Sequence, residues 1–235
     1  MKTGLLVSFI ILSLCSCASV SEKNVKDSNY HYQMGESYLN DNNIQPAFVE
    51  FQKALDLDPL NKYSHNALGL IYLMKLEDYP KAIKHFQEAL EIDKKFSEAA
   101  TNLGTTYAQM GQYDKAIQAY KLAVANPEYR NAAKALNDMG MVYYRLSEFD
   151  EAVSAYKEAL KRYPYFPQPY YGLALCYNAK EQYGDAAMAI TRAIELDPMY
   201  KGDRKKAIED LKDKKLRAQG NEEKDISDYL DILHY

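Results

Sequence analysis

Cysteine, histidine and net positive charge are all scarce in this chain, and each shortage removes a class of function. Three cysteines and four histidines stand among 235 residues. Cys176 is the only cysteine outside the N-terminal segment that holds Cys15 and Cys17, so a Cys17–Cys176 bridge is one reading, but three cysteines do not make a disulfide framework. The formal charge of −4 at pH 7 provides no concentrated basic surface to displace counterions from a phosphate backbone, so no nucleic-acid partner is expected. HExxH, CxxC, Gly-x-Ser-x-Gly and phosphate-loop patterns do not occur, and with them go the commonest signatures of metal, nucleophilic and nucleotide chemistry. His31 and His65 recur at one position of the repeats described below and read as core residues, and Cys176 reads as a packed thiol. The expectation is therefore a protein that is not an enzyme, with no metal, no cofactor and no small-molecule substrate.

Long apolar runs are lacking too, except at the start. Lys2 precedes the run Leu5 to Leu14. A transmembrane helix needs about 20 apolar residues, so this run is too short to span a bilayer and fits the apolar part of a secretory signal. A buried core helix is the other reading, but polar residues follow at once and nothing pairs with the run. Leu14-Cys15-Ser16-Cys17 resembles the lipobox of bacterial lipoproteins, in which an aliphatic residue lies three before the modified cysteine and a small residue just before it. Cys17 fits that pattern, whereas Cys15 would put Leu14 in the small-residue place. The resemblance implies a signal over 1–16, acyl chains on Cys17 and a flexible polar tether over 17–27. Each buried methylene contributes about 0.8 kcal/mol, so three chains hold where one is marginal. Ala18 follows Cys17; Asp in that place retains such proteins in the inner membrane, so the implied location is the periplasmic face of the outer membrane.

With 47% hydrophobic and 26% charged residues the remainder has the composition of a folded domain, and it is repetitive. "YHYQMGESYL", "YSHNALGLIYL", "AATNLGTTYA", "ALNDMGMVYY" and "PYYGLALCYN" align on Gly35, Gly69, Gly104, Gly140 and Ala174, at spacings of 34, 35, 36 and 34 residues. His31, Met34 and Tyr38 fall on one helical face beside Gly35, where a second helix must come close. That second helix carries small-large-small faces: Ala47/Phe51/Ala54, Ala82/Phe86/Ala89, Ala116/Tyr120/Ala123, Ala152/Tyr156/Ala159 and Ala186/Ile190/Ala193. Pro59, Pro164 and Pro198 mark repeat ends, because proline cannot donate the helical hydrogen bond and restrains its predecessor. The pattern resembles the tetratricopeptide repeat. That resemblance implies an all-α, right-handed superhelical solenoid of five helix pairs over 28–200 (28–61, 62–96, 97–130, 133–166, 167–200), a capping helix over 201–219 and an acidic tail over 220–235. The tail is expected to be mobile, with one helical turn around Tyr229 to Leu233. A sixth repeat is not expected, since Gly220 stands where the other second helices have alanine.

In arrays of this kind the first helices line a concave groove that takes a protein or peptide. Counting from each repeat start places Tyr32, Asn66, Thr101, Asn137 and Tyr171 inward, Leu70, Thr105, Met141 and Leu175 one turn further on, and Asn102 one residue offset. Asn offers a donor and an acceptor to a peptide backbone, and Tyr and Met give apolar contact. Packing between adjacent helices is the alternative role for the same residues. Lys134 and Arg145 are the groove charges, too few to form a carboxylate clamp. "RYPYFPQPYYG" (Arg162 to Gly172) suits either an exposed recognition edge or packing between repeats. The lipobox, "AVANPEYRNAAKALNDMG" (Ala123 to Gly140) and "YPYFPQPYYGLALCY" together resemble the type IV pilus biogenesis lipoproteins, the pilotins of the pilus secretin. The resemblance implies the secretin as partner and a role in its assembly. The family usually has six repeats where five are evident here. The competing reading is a general periplasmic scaffold for cell-wall or division proteins, and a weaker third is an accessory domain of a glycosyltransferase.

The anchor is tested directly. Cys17→Ser should leave a folded but unlipidated protein that partitions into the aqueous phase of a detergent phase separation, whereas Cys15→Ser should partition like the wild type; the reverse outcome contradicts the choice of Cys17.

Overall fold

The computed structural model describes residues 20–234, so Cys15, Cys17 and the apolar run before them lie outside the described residues. Those residues form twelve helices and no strand: α1 Glu22–Asn40, α2 Ile44–Leu57, α3 Lys62–Met74, α4 Tyr79–Ile92, α5 Ser97–Gln109, α6 Tyr113–Val124, α7 Ala132–Arg145, α8 Phe149–Arg162, α9 Pro167–Ala179, α10 Tyr183–Leu196, α11 Arg204–Lys215 and α12 Asn221–Ile232. From α1 to α10 each odd helix pairs with the even helix after it, and each even helix packs on the next odd one. Neighbouring odd helices α3, α5, α7 and α9 also touch and form one layer of the solenoid.

The aligned glycines explain the pairing. A Cβ on Gly104 would lie 2.8 Å from the Tyr120 ring, and one on Gly140 would lie 2.7 Å from the Tyr156 ring, so glycine is what lets the helix backbone rest on the aromatic face. Tyr120 and Tyr156 are correspondingly buried, with alanines on either side. In the fifth pair the same register holds Ala174 and Ile190, a smaller side chain facing a slightly larger one, both fully buried.

Two turns recur. Each odd-to-even turn from α1 to α10 passes through a left-handed residue, with Asn42, Glu77, Gly111, Ser147 and Glu181 at φ of 58, 51, 70, 61 and 58°. At the end of the even helices Asp58, Asp93, Asn126 and Asp197 accept the N–H two residues on with their side chains, at 3.0, 2.9, 3.1 and 2.9 Å. α4 therefore stops at Asp93 without the proline that the sequence pattern used as its marker. The longer connection from α6 to α7 buries Tyr129, whose hydroxyl bonds the Thr101 Oγ1 at 3.0 Å.

The C-terminal tail departs from expectation. Residues 221–232 are helical throughout, and α12 packs on α9, α10 and α11. Ile226, Tyr229, Leu230 and Leu233 are spaced along one helical face, with Ile226, Leu230 and Leu233 buried; Asp225 is buried beside them against Arg145, and Glu222, Glu223 and Asp231 are exposed and do not prevent docking. Gly220 does not interrupt a helix; at φ 60° it is the turn that starts one.

Gly104→Leu should cost about 1–3 kcal/mol of overpacking and lower the melting temperature by roughly 2–12 °C for a chain of this size. Gly184→Ala, at a helical position with nothing within 4 Å of the added Cβ, should not lower it. Calorimetry of the two variants checks the register.

Candidate protein-binding groove

The inner layer divides into an open half and a covered half. In the open half Tyr32 lies between Phe51 and Tyr63, with ring centroids 5.9 and 5.7 Å away, and Tyr63 meets Phe96 edge-on at 5.4 Å. Lys62 sits 5.0 Å from both the Tyr63 and Phe96 rings and pairs with Asp93. Tyr32, Lys62, Tyr63, Asp93 and Phe96, with Asn66, Lys95 and Glu98, border an open cavity of about 420 Å³. Burial, and then the Glu36 carboxylate, push the Tyr32 hydroxyl well above the usual phenol range, so it is a neutral donor at physiological pH. Asn102 donates its amide to the Asn66 Oδ1 at 2.9 Å, tying α3 to α5. One contact of these asparagines is spent between helices, and the Asn66 donors and Asn102 oxygen remain outside that bond. Leu70 is half-buried and borders a smaller apolar recess of about 210 Å³ with Leu39 and Met74.

In the covered half the inner residues face α12. Arg145 grips Asp225 with both guanidinium nitrogens, one at 2.8 Å. Tyr171 donates its hydroxyl to Asp197 Oδ2 at 3.1 Å and presents its ring to Tyr229 at 5.6 Å. Asn137, Met141 and Tyr171 line a cavity of about 410 Å³ whose other walls include Tyr200, Asp225, Ile226 and Tyr229. Arg204 anchors the far end of α12 through the Leu233 carbonyl. A forked, half-buried ion pair of this kind is strong because both donors are aligned on one carboxylate.

Two expected groove residues are not on the surface. Thr101 is 5% exposed, donating to the Ser97 carbonyl while bonded to Tyr129, because the long α6–α7 connection folds over it. Leu175 is 1% exposed and belongs to the core. Cys176 is fully buried and burial pushes its thiol up to about 12, which leaves no thiolate near neutral pH. In the stretch Arg162 to Gly172 Pro169 is buried while Tyr163 and Tyr165 are exposed, so it contributes both packing and an open edge. Tyr63, Phe96, Asp225 and Tyr229 escaped sequence reasoning; the signal for Tyr229 was the helical spacing of the tail's apolar residues, hidden in an acidic composition. Away from the groove, His31 bonds Glu50 at 2.6 Å, and His65, His85 and Glu88 form the one group among the described residues that brings three metal-ligand atoms together.

Asp225→Asn should leave Arg145 facing a neutral partner and loosen α12. Amide exchange over residues 221–232 should accelerate at least tenfold, about 1.4 kcal/mol or more of lost local protection, while α5 and α6 keep theirs. Hydrogen-exchange mass spectrometry measures both at once, and unchanged exchange in α12 would show that its apolar face alone holds it.

Comparison with known proteins agrees with this geometry. Family descriptions of the tetratricopeptide repeat match residues 28–59, 60–128, 96–164 and 137–201. The type IV pilus assembly protein PilF of Pseudomonas aeruginosa is 26% identical over 122 residues, a match that spans 48% of each chain. An uncharacterized protein of Haemophilus influenzae is 27% identical over 124 residues, 52% of this chain and 69% of that one. Among solved structures, Pseudomonas aeruginosa PilF superposes with a TM-score of 0.71 at 17% identity over 88% of this chain and 90% of its own. PilW, a type IV pilus biogenesis factor, superposes with 0.69 at 22% identity over 86% and 90%, and MamA with 0.62 at 27% over 69% and 94%. The two pilus structures establish likeness of fold. With the repeat matched from residue 28 to 201 and the helix pairs stacked as a solenoid, the chain belongs to the tetratricopeptide-repeat family.

Proposed function

We propose that this protein is a lipid-anchored scaffold at the periplasmic face of the outer membrane that binds a component of the type IV pilus machinery, the secretin, and promotes its assembly. The observation that carries the binding role is the open aromatic half of the groove, where the Tyr32, Tyr63 and Phe96 rings stand beside the Asn66–Asn102 pair. Large rings provide contact area at low entropy cost, and amide groups satisfy a peptide backbone. The pilus assignment draws on the sequence relation to PilF and on the motifs shared with the pilus lipoproteins. The anchor draws on the lipobox at Cys17. The helix α1 starts at Glu22, inside the stretch expected to be tether, so only about five residues join Cys17 to the solenoid; they keep it within roughly two nanometres of the membrane, which limits its partners to proteins present there. The small net charge favours recognition by apolar anchors and hydrogen bonds, with weak salt dependence.

Loss of the protein should abolish the heat- and detergent-resistant secretin multimer while pilin levels stay normal; an unchanged multimer band favours a general periplasmic scaffold instead. Tyr63→Ala should weaken secretin binding by about thirtyfold, the effect of a roughly 2 kcal/mol anchor, with little change in melting temperature because that ring is 47% exposed. Tyr171→Ala, under α12, should weaken it far less.

A further inference from the structure

In the second helix pair two histidines and a glutamate meet, at positions where the third and fourth pairs have no histidine. His65 on α3 and His85 on α4 correspond in register to His31 and Glu50 of the first pair, but to Ala100 and Ala119 of the third and to Leu136 and Ala155 of the fourth. The solenoid therefore packs this position with aliphatic side chains, and the imidazoles are not demanded by the fold. Glu88, one turn beyond His85, adds a carboxylate; the first, third and fifth pairs carry Lys53, Leu122 and Arg192 in its place, and the fourth carries Glu158 but has Leu136 and Ala155 where the histidines stand.

The donor atoms are arranged as one face of a tetrahedron. His65 Nδ1 lies 3.1 Å from His85 Nδ1 and 3.1 Å from Glu88 Oε2, and His85 Nδ1 lies 3.5 Å from Glu88 Oε2. With bonds of about 2.0–2.1 Å to a tetrahedral Zn²⁺, adjacent ligand atoms stand about 3.3 Å apart, which all three edges approach. The second layer of contacts is also in place. His65 Nε2 donates to the Pro59 carbonyl at 3.0 Å, which fixes the tautomer and leaves the Nδ1 lone pair aimed at the cluster. Tyr72 stacks on His85 with the ring planes 12° apart and holds its orientation. An open cavity of about 400 Å³ bounded in part by Pro59, Leu60, His65 and Glu88 gives an ion a route in and leaves room for water as fourth ligand.

We infer that His65, His85 and Glu88 form a binding site for a divalent first-row transition metal, with Zn²⁺ the ion that fits two imidazoles and one carboxylate. Ca²⁺ and Mg²⁺ are disfavoured because they require shells of oxygen. The ion would clamp α3 to α4, and its water-bearing side would face solvent.

The test uses the full-length protein freed of metal by chelator, with Zn²⁺ and Co²⁺ as probes. Zn²⁺ should raise the melting temperature of the wild type, and Co²⁺ should give the intense visible absorption of a tetrahedral site. Glu88→Gln and His85→Asn should each weaken Zn²⁺ binding by tenfold or more and abolish the cobalt spectrum. Glu88 is one-third exposed, so its variant should keep the metal-free melting temperature of the wild type and carries the test if His85→Asn does not fold. The inference is overturned if Zn²⁺ leaves the wild-type melting temperature unchanged at millimolar concentration, or if it stabilises Glu88→Gln as much as the wild type.

Discussion

At Gly104 one added methyl group would meet the Tyr120 ring at 2.8 Å, and the same crowding recurs wherever an odd helix lies on its even partner through a glycine and a ring. The contact sets the distance between helices, because a backbone resting directly on an aromatic face brings two helices closer than side chains on both would allow. It also sets register, since the ring must arrive opposite the glycine and between two alanines. Once pairs are fixed in this way, each leaves an uncovered apolar face that only the next pair can bury, so the array grows by stacking. The left-handed residue in every odd-to-even turn from α1 to α10 follows from that closeness: the chain has to reverse within a few residues, and four of those five turns accept a non-glycine residue in a conformation glycine tolerates better.

A stack of this kind has ends, and its C-terminal end is closed by more than a single capping helix. α11 covers the last pair, while α12 turns back across α9 and α10 and engages Arg145 on α7 through Asp225. The inner face is consequently asymmetric. Its first half shows aromatic rings and amides to solvent, and its second half is lined by residues of the same chemistry that are already paired with the protein's own helix. Tyr171, Asn137 and Met141 are thus drawn from the same repeat positions as Tyr32 and Asn66, or one turn beyond them, yet differ from them in availability.

Polar groups in the solenoid follow a similar division. Asn66 and Asn102 connect successive odd helices, Thr101 is sealed under Tyr129, and the side chains of Asp58, Asp93, Asn126 and Asp197 close the ends of even helices. Each replaces a hydrogen bond that water would otherwise make, which is why residues that look like ligand contacts in a linear register serve the frame as well. The His65–His85–Glu88 group stands apart, because the two histidine positions are filled by alanine or leucine in the third and fourth pairs.

The all-helical repeat was legible in the sequence because its cause is local. A glycine, a ring and two alanines at helical spacing recur every 34–36 residues, and each recurrence states one helix pair. The shared register of Tyr32 and Asn66, three residues before an aligned glycine, was legible for the same reason. What periodicity could not determine was how much surface each inward residue keeps, since that depends on segments distant in the chain: Tyr129 over Thr101 across 28 residues, and Asp225 on Arg145 across 80. The tail's composition suggested mobility, and only its apolar stripe meeting α9 and α10 makes it a helix, because short isolated helices are marginal until a partner surface buries one face. Likewise three donor atoms converge from His65 and from a helix 20 residues further on only when α3 and α4 are packed, so that cluster belongs to the tertiary structure alone.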